Sequence, residues 1–465
     1  MSTPTTFAPA PEIFKAYDIR GIVDQTLTAE AVRAIGHALG SEAVARGQGA
    51  IAVGRDGRLS GPTLSGALAD GIRMAGVNVV DIGCVPTPLT YFAAYHLETD
   101  SCVSVTGSHN PPDYNGLKMV LAGQTLHGDL IQALRQRILS GNLVHAAAPG
   151  TLTQADVMGA YLDRVVGDVR LARPMKIVMD CGNGVAGVIA PALFRRLGCE
   201  LIELFCDVDG NFPNHHPDPS KPENLADVVR ALETSDAEIG IAFDGDGDRL
   251  GVVTRDGEII YPDRQLMLFA ADVLDRVQGG EIIYDVKCTR NLAGWVQARG
   301  GRPTMWNTGH ALVKAKLKET GAPLAGEMSG HMFFRERWYG FDDGLYAGAR
   351  LLEILSRVPD GNALLNALPD AVSTPELNIR MQEGEPFELV RRLREAMPFS
   401  AARDVITIDG VRVEYADGFG LARPSNTTPV VVLRFEADDD AALTRIQADF
   451  RRALNAVWPG VDVPF

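Results

Sequence analysis

Residues 176–205 read KIVMDCGNGVAGVIAPALFRRLGCELIELF, and the fold turns on this stretch. Lys176 to Met179 is a short apolar strand, and Asp180-Cys181-Gly182-Asn183-Gly184 is a turn. A helix runs through Arg195-Arg196-Leu197 to Gly198, and Glu200 to Phe205 is a second strand. A Gly just past the last helical turn supplies a left-handed cap, and the strand after it can pair parallel to the first. The same plan is written upstream in Ala50 to Gly83: the strand Ile51 to Val53, a turn with Gly54 and Asp56, an amphipathic helix ending at Gly76, and the strand Val77 to Ile82. Glu281 to Trp306 is a third copy, with Gly300 closing its helix. The closing glycines stand 122 and 102 residues apart, far beyond solenoid repeat lengths, so whole domains are repeated.

After Thr374 the pattern changes to separated strands (Glu376 to Met381, Val405 to Ile408, Pro429 to Phe435) and two amphipathic helices. The fold class expected is therefore α/β, with three tandem similar α/β domains carrying mixed sheets and a C-terminal α+β domain. Loops near Gly150-Thr151, Arg255-Asp256-Gly257 and Pro369 to Pro375 divide the chain into residues 1–152, 153–256, 257–370 and 371–465. A length of 465 residues, with 46% apolar and 22% charged residues, suits several buried cores.

Fifty-nine acidic residues against 44 basic ones give a formal charge of -15, a poor match to a phosphate-rich polymer, so nucleic acid is not an expected partner. An anionic substrate would need a local gathering of basic side chains against the sign of the whole molecule. The six cysteines never form a Cys-x-x-Cys pair, which indicates neither a zinc site nor a disulfide framework. Met1 to Glu12 lacks a leader pattern and no segment approaches a membrane span. The expectation is a reduced, cytoplasmic protein with no membrane partner.

Two runs carry chemistry. Thr106-Gly107-Ser108-His109-Asn110-Pro111-Pro112 follows the strand-like Cys102 to Val105, so Ser108 is expected to be exposed and fixed on a turn at a strand end. That suits a nucleophile or a phosphate carrier, although these residue types also favour ordinary turns. There is no Gly-x-Ser-x-Gly elbow, and Ser-x-x-Lys fails, which leaves standard serine hydrolases unsupported. The second run, Asp244-Gly245-Asp246-Gly247-Asp248-Arg249, follows the apolar strand Ile239 to Phe243. Three carboxylates at alternate positions can face one hard cation such as Mg2+, and they repel one another without it. An EF-hand counted from Asp244 fails, because its sixth and twelfth positions are Arg249 and Arg255.

With two further runs, Gly326-Glu327-Met328-Ser329-Gly330-His331 and Arg423-Pro424-Ser425-Asn426-Thr427-Thr428, the chain resembles the α-D-phosphohexomutase superfamily over essentially its whole length, one motif per domain and in order. The resemblance implies four domains around a central cleft. It makes Ser108 a phosphoserine and Asp244, Asp246 and Asp248 the ligands of one Mg2+ per chain, with a phosphoserine oxygen completing the shell. Arg249 would add positive charge beside them. Glu327 and Ser329 would bind the sugar hydroxyls, and Arg423, Ser425, Asn426, Thr427 and Thr428 would grip the phosphate not being transferred. The same resemblance places Tyr17 and Arg20 in the cleft, together with Lys287, His310 and His331. It makes Lys118 a candidate for proton handling or charge stabilisation, and His109 a brace for the turn.

The activity implied is reversible phosphoryl transfer between 1-phospho and 6-phospho hexoses, through a phosphoserine enzyme and a hexose 1,6-bisphosphate that also serves as activator. Phosphosugars are then the partners, and the chain is expected to be a monomer. A phosphoglucosamine mutase is the runner-up, disfavoured by Asn426 and Thr428. A metal-dependent phosphatase would leave the 423–428 run unexplained, and a cation-binding scaffold predicts no turnover.

Overall fold

The computed structural model describes residues 8–426 and 428–465. Each copy of the repeat closes into parallel strands as its glycine cap requires. Ala50–Arg55 pairs with Asn78–Cys84, Met175–Asp180 with Cys199–Leu204, and Glu281–Asp285 with Arg302–Trp306, all parallel. The closing residues Gly76, Gly198 and Gly300 have φ of 84°, 97° and 74°, the left-handed cap conformation. In the second copy the helix is split: a 3-10 turn, Val185–Val188, precedes Ala190–Arg196, whose second residue is Pro191. Proline lacks the N–H that would continue the upstream turn, so it starts a helix instead of extending one.

The chain packs as two compact units. One comprises residues up to Pro262 with Lys314–Gly321 and Ser329–Ala367; the other comprises Asp263–Val313, Ala322–Met328 and Leu368–Phe465. The first unit holds two sheets. In a seven-stranded mixed sheet, Cys102–Val105 runs parallel to Ala50–Arg55 and antiparallel to Tyr114–Leu121, which in turn pairs antiparallel with Ile19–Ile22. Its core joins Ile51, Val53, Val103, Val105, Leu117 and Met119 to the helix residues Ile35, Leu39, Leu68 and Ile72. In the four-stranded second sheet, Ile239–Phe243 runs parallel to Met175–Asp180 and antiparallel to Leu250–Thr254. Apart from Gly240, residues 239–243 are apolar and all are buried, as a central strand covered on both faces must be.

In the second unit Leu324–Gly326 adds parallel to Glu281–Asp285. The C-terminal part is a six-stranded sheet in which Leu377–Arg380, Asp404–Ile406 and Val430–Ala437 match expected strands. Three more strands, Val411–Glu414, Gly418–Pro424 and the short Val372–Ser373, complete it. Arg423 therefore lies near the end of a strand, just before the turn at Ser425. Among the described residues no helix is long and apolar enough to cross a membrane.

Candidate active site

In the first unit the carboxyl ends of the strands in both sheets carry polar turns, the position where open α/β sheets build ligand sites. The chain after Cys102–Val105 turns sharply at Ser108, whose φ of 48° puts a non-glycine residue in the left-handed region. That conformation costs on the order of 1–2 kcal/mol and persists only where the surroundings over-determine it. Here they do. The Ser108 N–H donates to Thr106 Oγ1 (2.8 Å) and its carbonyl accepts from Arg58 Nη2 (2.9 Å). Ser108 is 1% exposed, which corrects the expectation of an exposed serine. The Asp244 turn covers it: a Cβ on Gly245 would come 2.4 Å from the Ser108 carbonyl oxygen, so only glycine permits this approach.

The Ser108 hydroxyl donates to Asp244 Oδ2 (3.1 Å) and lies 3.1 Å from His109 Nδ1. Burial, and then the nearby Arg249 and Arg20, push His109 well below its ordinary pKa, so the ring is a neutral imidazole. Arg20 pairs with Asp18 at 2.6 Å and donates to Asn110 Oδ1, tying the N-terminal strand to the Ser108 turn. Tyr17 is half-buried on the same segment.

Asp244, Asp246 and Asp248 are fully buried, and each offers an oxygen within 4.8 Å of the others. Asp244 also shapes the loop, since its Oδ1 accepts from the Asp248 and Arg249 N–H groups at 3.1 and 3.2 Å. Thr87 donates its hydroxyl to Asp246 Oδ2 at 2.6 Å, and Lys118 Nζ reaches both Asp246 Oδ2 (2.7 Å) and Asp248 Oδ2 (2.5 Å). Asp246 Oδ1 is buried with no hydrogen-bond partner among the described residues, as a cation ligand should be. An all-oxygen buried triad fits one hard divalent cation.

The charges are strongly linked. Burial, then Asp248 and Asp246, raise Asp244 well above the usual carboxylate range. Burial also opposes charge on Asp248, yet Lys118 and His331 hold it well below that range. Burial likewise disfavours the Lys118 ammonium, but Asp246 and Asp248 outweigh it and push its pKa up, so it is firmly cationic. Arg249 Nε lies 3.7 Å from Asp244 Oδ2 and donates to His331 Nε2 at 3.2 Å, while His331 Nδ1 is 2.9 Å from Ser329 Oγ. Ser108, His109, Lys118, the three aspartates, Arg249, Ser329 and His331 thus form one connected group.

The second unit holds the other predicted residues. Glu327, 1% exposed, accepts from the Gly309 N–H at 2.6 Å, beside His310 at the start of helix His310–Thr320. Lys287 pairs with Glu376 at 3.1 Å. Burial opposes its charge, but Glu376 and Asp285 keep its pKa raised. Arg423 Nε donates to Asp409 Oδ2 at 3.0 Å, and the same oxygen accepts from the Thr308 N–H at 2.9 Å. The following turn is held locally: Ser425 Oγ lies 3.0 Å from Thr428 Oγ1, and the Ser425 N–H donates to the Val430 carbonyl at 2.9 Å. Asn426 is half-buried, and Thr427 lies outside the described residues.

Sequence reasoning overlooked several residues. Asp56, Arg58 and Thr87 touch the Ser108 turn or the aspartate loop, and His216 Nε2 meets the His109 carbonyl. A usable signal existed, because Asp56 and Thr87 follow the strands Ala50–Arg55 and Asn78–Cys84 just as Ser108 and Asp244 follow theirs.

Four family models match the chain in order. Described as phosphoglucomutase/phosphomannomutase α/β/α domains I, II and III and C-terminal domain, they span residues 11–144, 159–257, 261–371 and 376–453. The chain is 55% identical to a phosphomannomutase/phosphoglucomutase of Pseudomonas aeruginosa, over all of both chains. It is 56% identical to a phosphoglucomutase of Neisseria meningitidis, over 97% of this chain and 99% of that one. A crystal structure of a phosphoglucomutase/phosphomannomutase family protein from Burkholderia thailandensis superposes with a TM-score of 0.93 at 64% identity, covering 98% of this chain and 100% of that one.

Proposed function

The chain belongs to the phosphoglucomutase/phosphomannomutase family, and from that premise we propose that it interconverts the 1-phospho and 6-phospho forms of glucose and mannose through a phosphoserine at residue 108. The observation that carries the proposal is the hydroxyl of Ser108, fixed by a strained turn and donating to a carboxylate of the buried aspartate triad.

Phosphoryl transfer asks a protein chiefly to position groups and neutralise charge. Ser108 carries the phosphoryl group, gives it to the free hydroxyl of the bound sugar phosphate, and accepts the other phosphate of the resulting hexose 1,6-bisphosphate. Asp244, Asp246 and Asp248 would hold one Mg2+, together with an oxygen of the Ser108 phosphate, and when bound the ion supplies charge neutralisation at the transferring group. Lys118, firmly cationic between Asp246 and Asp248, stabilises charge, and Arg249, 3.7 Å from Asp244 and bonded to His331, extends the positive side of the group. Arg20 fixes the turn through Asn110, and neutral His109 braces it.

Glu327, aided by Ser329, accepts hydrogen bonds from sugar hydroxyls. Arg423, Ser425, Asn426, Thr427 and Thr428 hold the distal phosphate by charge-assisted and hydroxyl contacts, and Lys287, His310 and Tyr17 line the substrate. The proposal keeps the four-part division 1–152, 153–256, 257–370 and 371–465, and a cytoplasmic monomer.

Glu327 is assigned to the hydroxyls at carbons 3 and 4, and no assigned residue reads carbon 2, where glucose and mannose differ. Catalytic efficiencies for glucose 1-phosphate and mannose 1-phosphate should then fall within about two decades of each other. Glucosamine 1-phosphate, whose amine meets no assigned carboxylate, should be poorer. Steady-state kinetics on all three, at saturating Mg2+ with bisphosphate activator, tests this. A gap above about 10^4 between the hexoses would mean an unassigned residue reads carbon 2. Steady release of inorganic phosphate, or a chain whose intact mass and phosphopeptides never show phosphate on Ser108, would remove the mutase assignment.

A further inference from the structure

Residues 106–114 bend in a way that leaves a row of carbonyl oxygens pointing inward, and one side chain collects four of them. Arg58, 1% exposed, donates through Nη1 to the carbonyls of Pro111 (2.5 Å) and Tyr114 (2.9 Å). Its Nη2 donates to those of Ser108 (2.9 Å) and Asn110 (2.6 Å). Its Nε lies 3.2 Å from Asp56 Oδ2. Asp56, 2% exposed, takes the other end of the turn: its Oδ2 accepts from Thr106 Oγ1 (2.8 Å) and the Gly107 N–H (3.0 Å), and its Oδ1 from the Arg58 N–H (3.0 Å). The guanidinium sits over the Phe212 ring, 5.3 Å from its centroid. Only a planar fork with five donors spans four carbonyls and a carboxylate at once; an ammonium presents three donors from one point.

We propose that Arg58, braced by Asp56, is the positioning residue that holds the strained backbone of Ser108 in the geometry of phosphoryl transfer. This rests on the reading of Ser108 as the phosphate carrier. Arg58 reaches the backbone carbonyl of Ser108, not its hydroxyl, so it acts through the turn. Two features separate this role from general stability. Apart from the contacts between Arg58 and Asp56 themselves, the side-chain bonds converge on residues 106–114, and they bracket the one residue of that turn with positive φ. A turn freed from the clamp can relax Ser108 toward negative φ, which swings its hydroxyl away from Asp244.

The test uses the full-length chain with Mg2+ and glucose 1,6-bisphosphate. A displacement of the reacting group by about 1 Å costs on the order of 10^2-fold, so Arg58→Lys should lower kcat by about that factor. KM for glucose 1-phosphate should stay within about 3-fold, because the groups assigned to sugar and distal phosphate are untouched. The single-turnover rate of phosphate transfer from Ser108 should fall in parallel with kcat. Asp56→Asn keeps the shape and part of the acceptor capacity, and should lower kcat about 10-fold with the same unchanged KM. Guanidinium ion added to Arg58→Ala should recover a measurable part of the lost kcat, which a purely structural role would not show.

A folded Arg58→Lys or Asp56→Asn with kcat within about 3-fold of the parent overturns the proposal, as does a loss that appears only in KM. If Arg58→Lys fails to fold, Asp56→Asn alone decides. Ser108→Ala measured alongside separates the two levels: full turnover there would remove the phosphoserine reading itself, whereas an inactive Ser108→Ala beside a fully active Arg58→Lys would remove only the role given to Arg58.

Discussion

Ser108 is 1% exposed and its turn is held by side chains from Asp56, Arg58, Thr106 and Asp244, three of which stand on other segments. Ser425 is half-buried, and its turn is held by its own neighbours, Thr428 and Val430. On the proposed function both turns meet a phosphate, but they do different work. A group that transfers phosphate must present one atom in one direction, and buried long-range bonds fix that direction. A group that only grips must accept a phosphate on either end of a turned-over sugar, and a locally bonded, partly exposed turn tolerates both.

The first way to break that contrast is Ser108→Ala. Loss of the carrier should reduce mutase activity by at least about 10^3-fold while glucose 1-phosphate still binds, measured by coupled assay and calorimetry. Turnover near that of the parent would end the distinction. Asp246→Asn comes next. Losing even an outer-shell partner of a bound metal costs about 10- to 100-fold, so removing a ligand charge should lower Mg2+ affinity and kcat by on the order of 10^2-fold or more. A chelator titration that leaves activity unchanged would refute the cation site.

Arg423→Ala probes the gripping side. A charge-assisted contact is worth roughly 1.5 to 3 kcal/mol, so substrate affinity should fall about 10- to 150-fold while Ser108 is still phosphorylated by the bisphosphate. Loss of phosphoserine formation with binding intact would reverse the assignment of the two turns.

The smallest effect concerns the frame beneath the transfer site. Asp343 caps the helix Gly344–Leu355 by accepting from the Tyr346 N–H, and the Tyr161 hydroxyl meets its two oxygens at 3.0 and 2.9 Å. Burial pushes its pKa up to about 7, against the lowering pull of those donors. The folded state then holds a proton that the unfolded chain releases near its ordinary value of 3.8. Stability should therefore fall as pH rises from about 4 to 7, with a slope of at most about 1.4 kcal/mol per pH unit from this group. Asp343→Asn keeps an N-cap acceptor and should flatten that slope in denaturant titrations across the window; an unchanged slope would place the effect elsewhere.

The repeat was legible because each copy is local: a strand, a turn and a helix capped by Gly76, Gly198 or Gly300 lie within about 35 residues. The aspartate loop was legible for the same reason, its three carboxylates lying within five residues. The strands Val411–Glu414 and Gly418–Pro424 were not, since Gly410, Gly418 and Gly420 around them read as turn residues. Gly418 and Gly420 instead let Glu436 and Phe450 pack close. The burial of Ser108 and the clamp by Asp56 and Arg58 depend on contacts 50 to 137 residues apart in the chain, which no local pattern encodes.

The φ of 48° at Ser108 also limits which alcohol can stand there. Serine is a primary alcohol and carries one heavy substituent on Cβ. Threonine is a secondary alcohol of similar reactivity, but its additional methyl crowds a left-handed backbone, where β-branched residues are genuine outliers. Serine and threonine trade freely across most protein surfaces and in many modification sites. At residue 108 that exchange is closed by the bend of the main chain, so on the proposed function the chemical identity of the phosphate acceptor is decided by backbone conformation before reactivity is consulted.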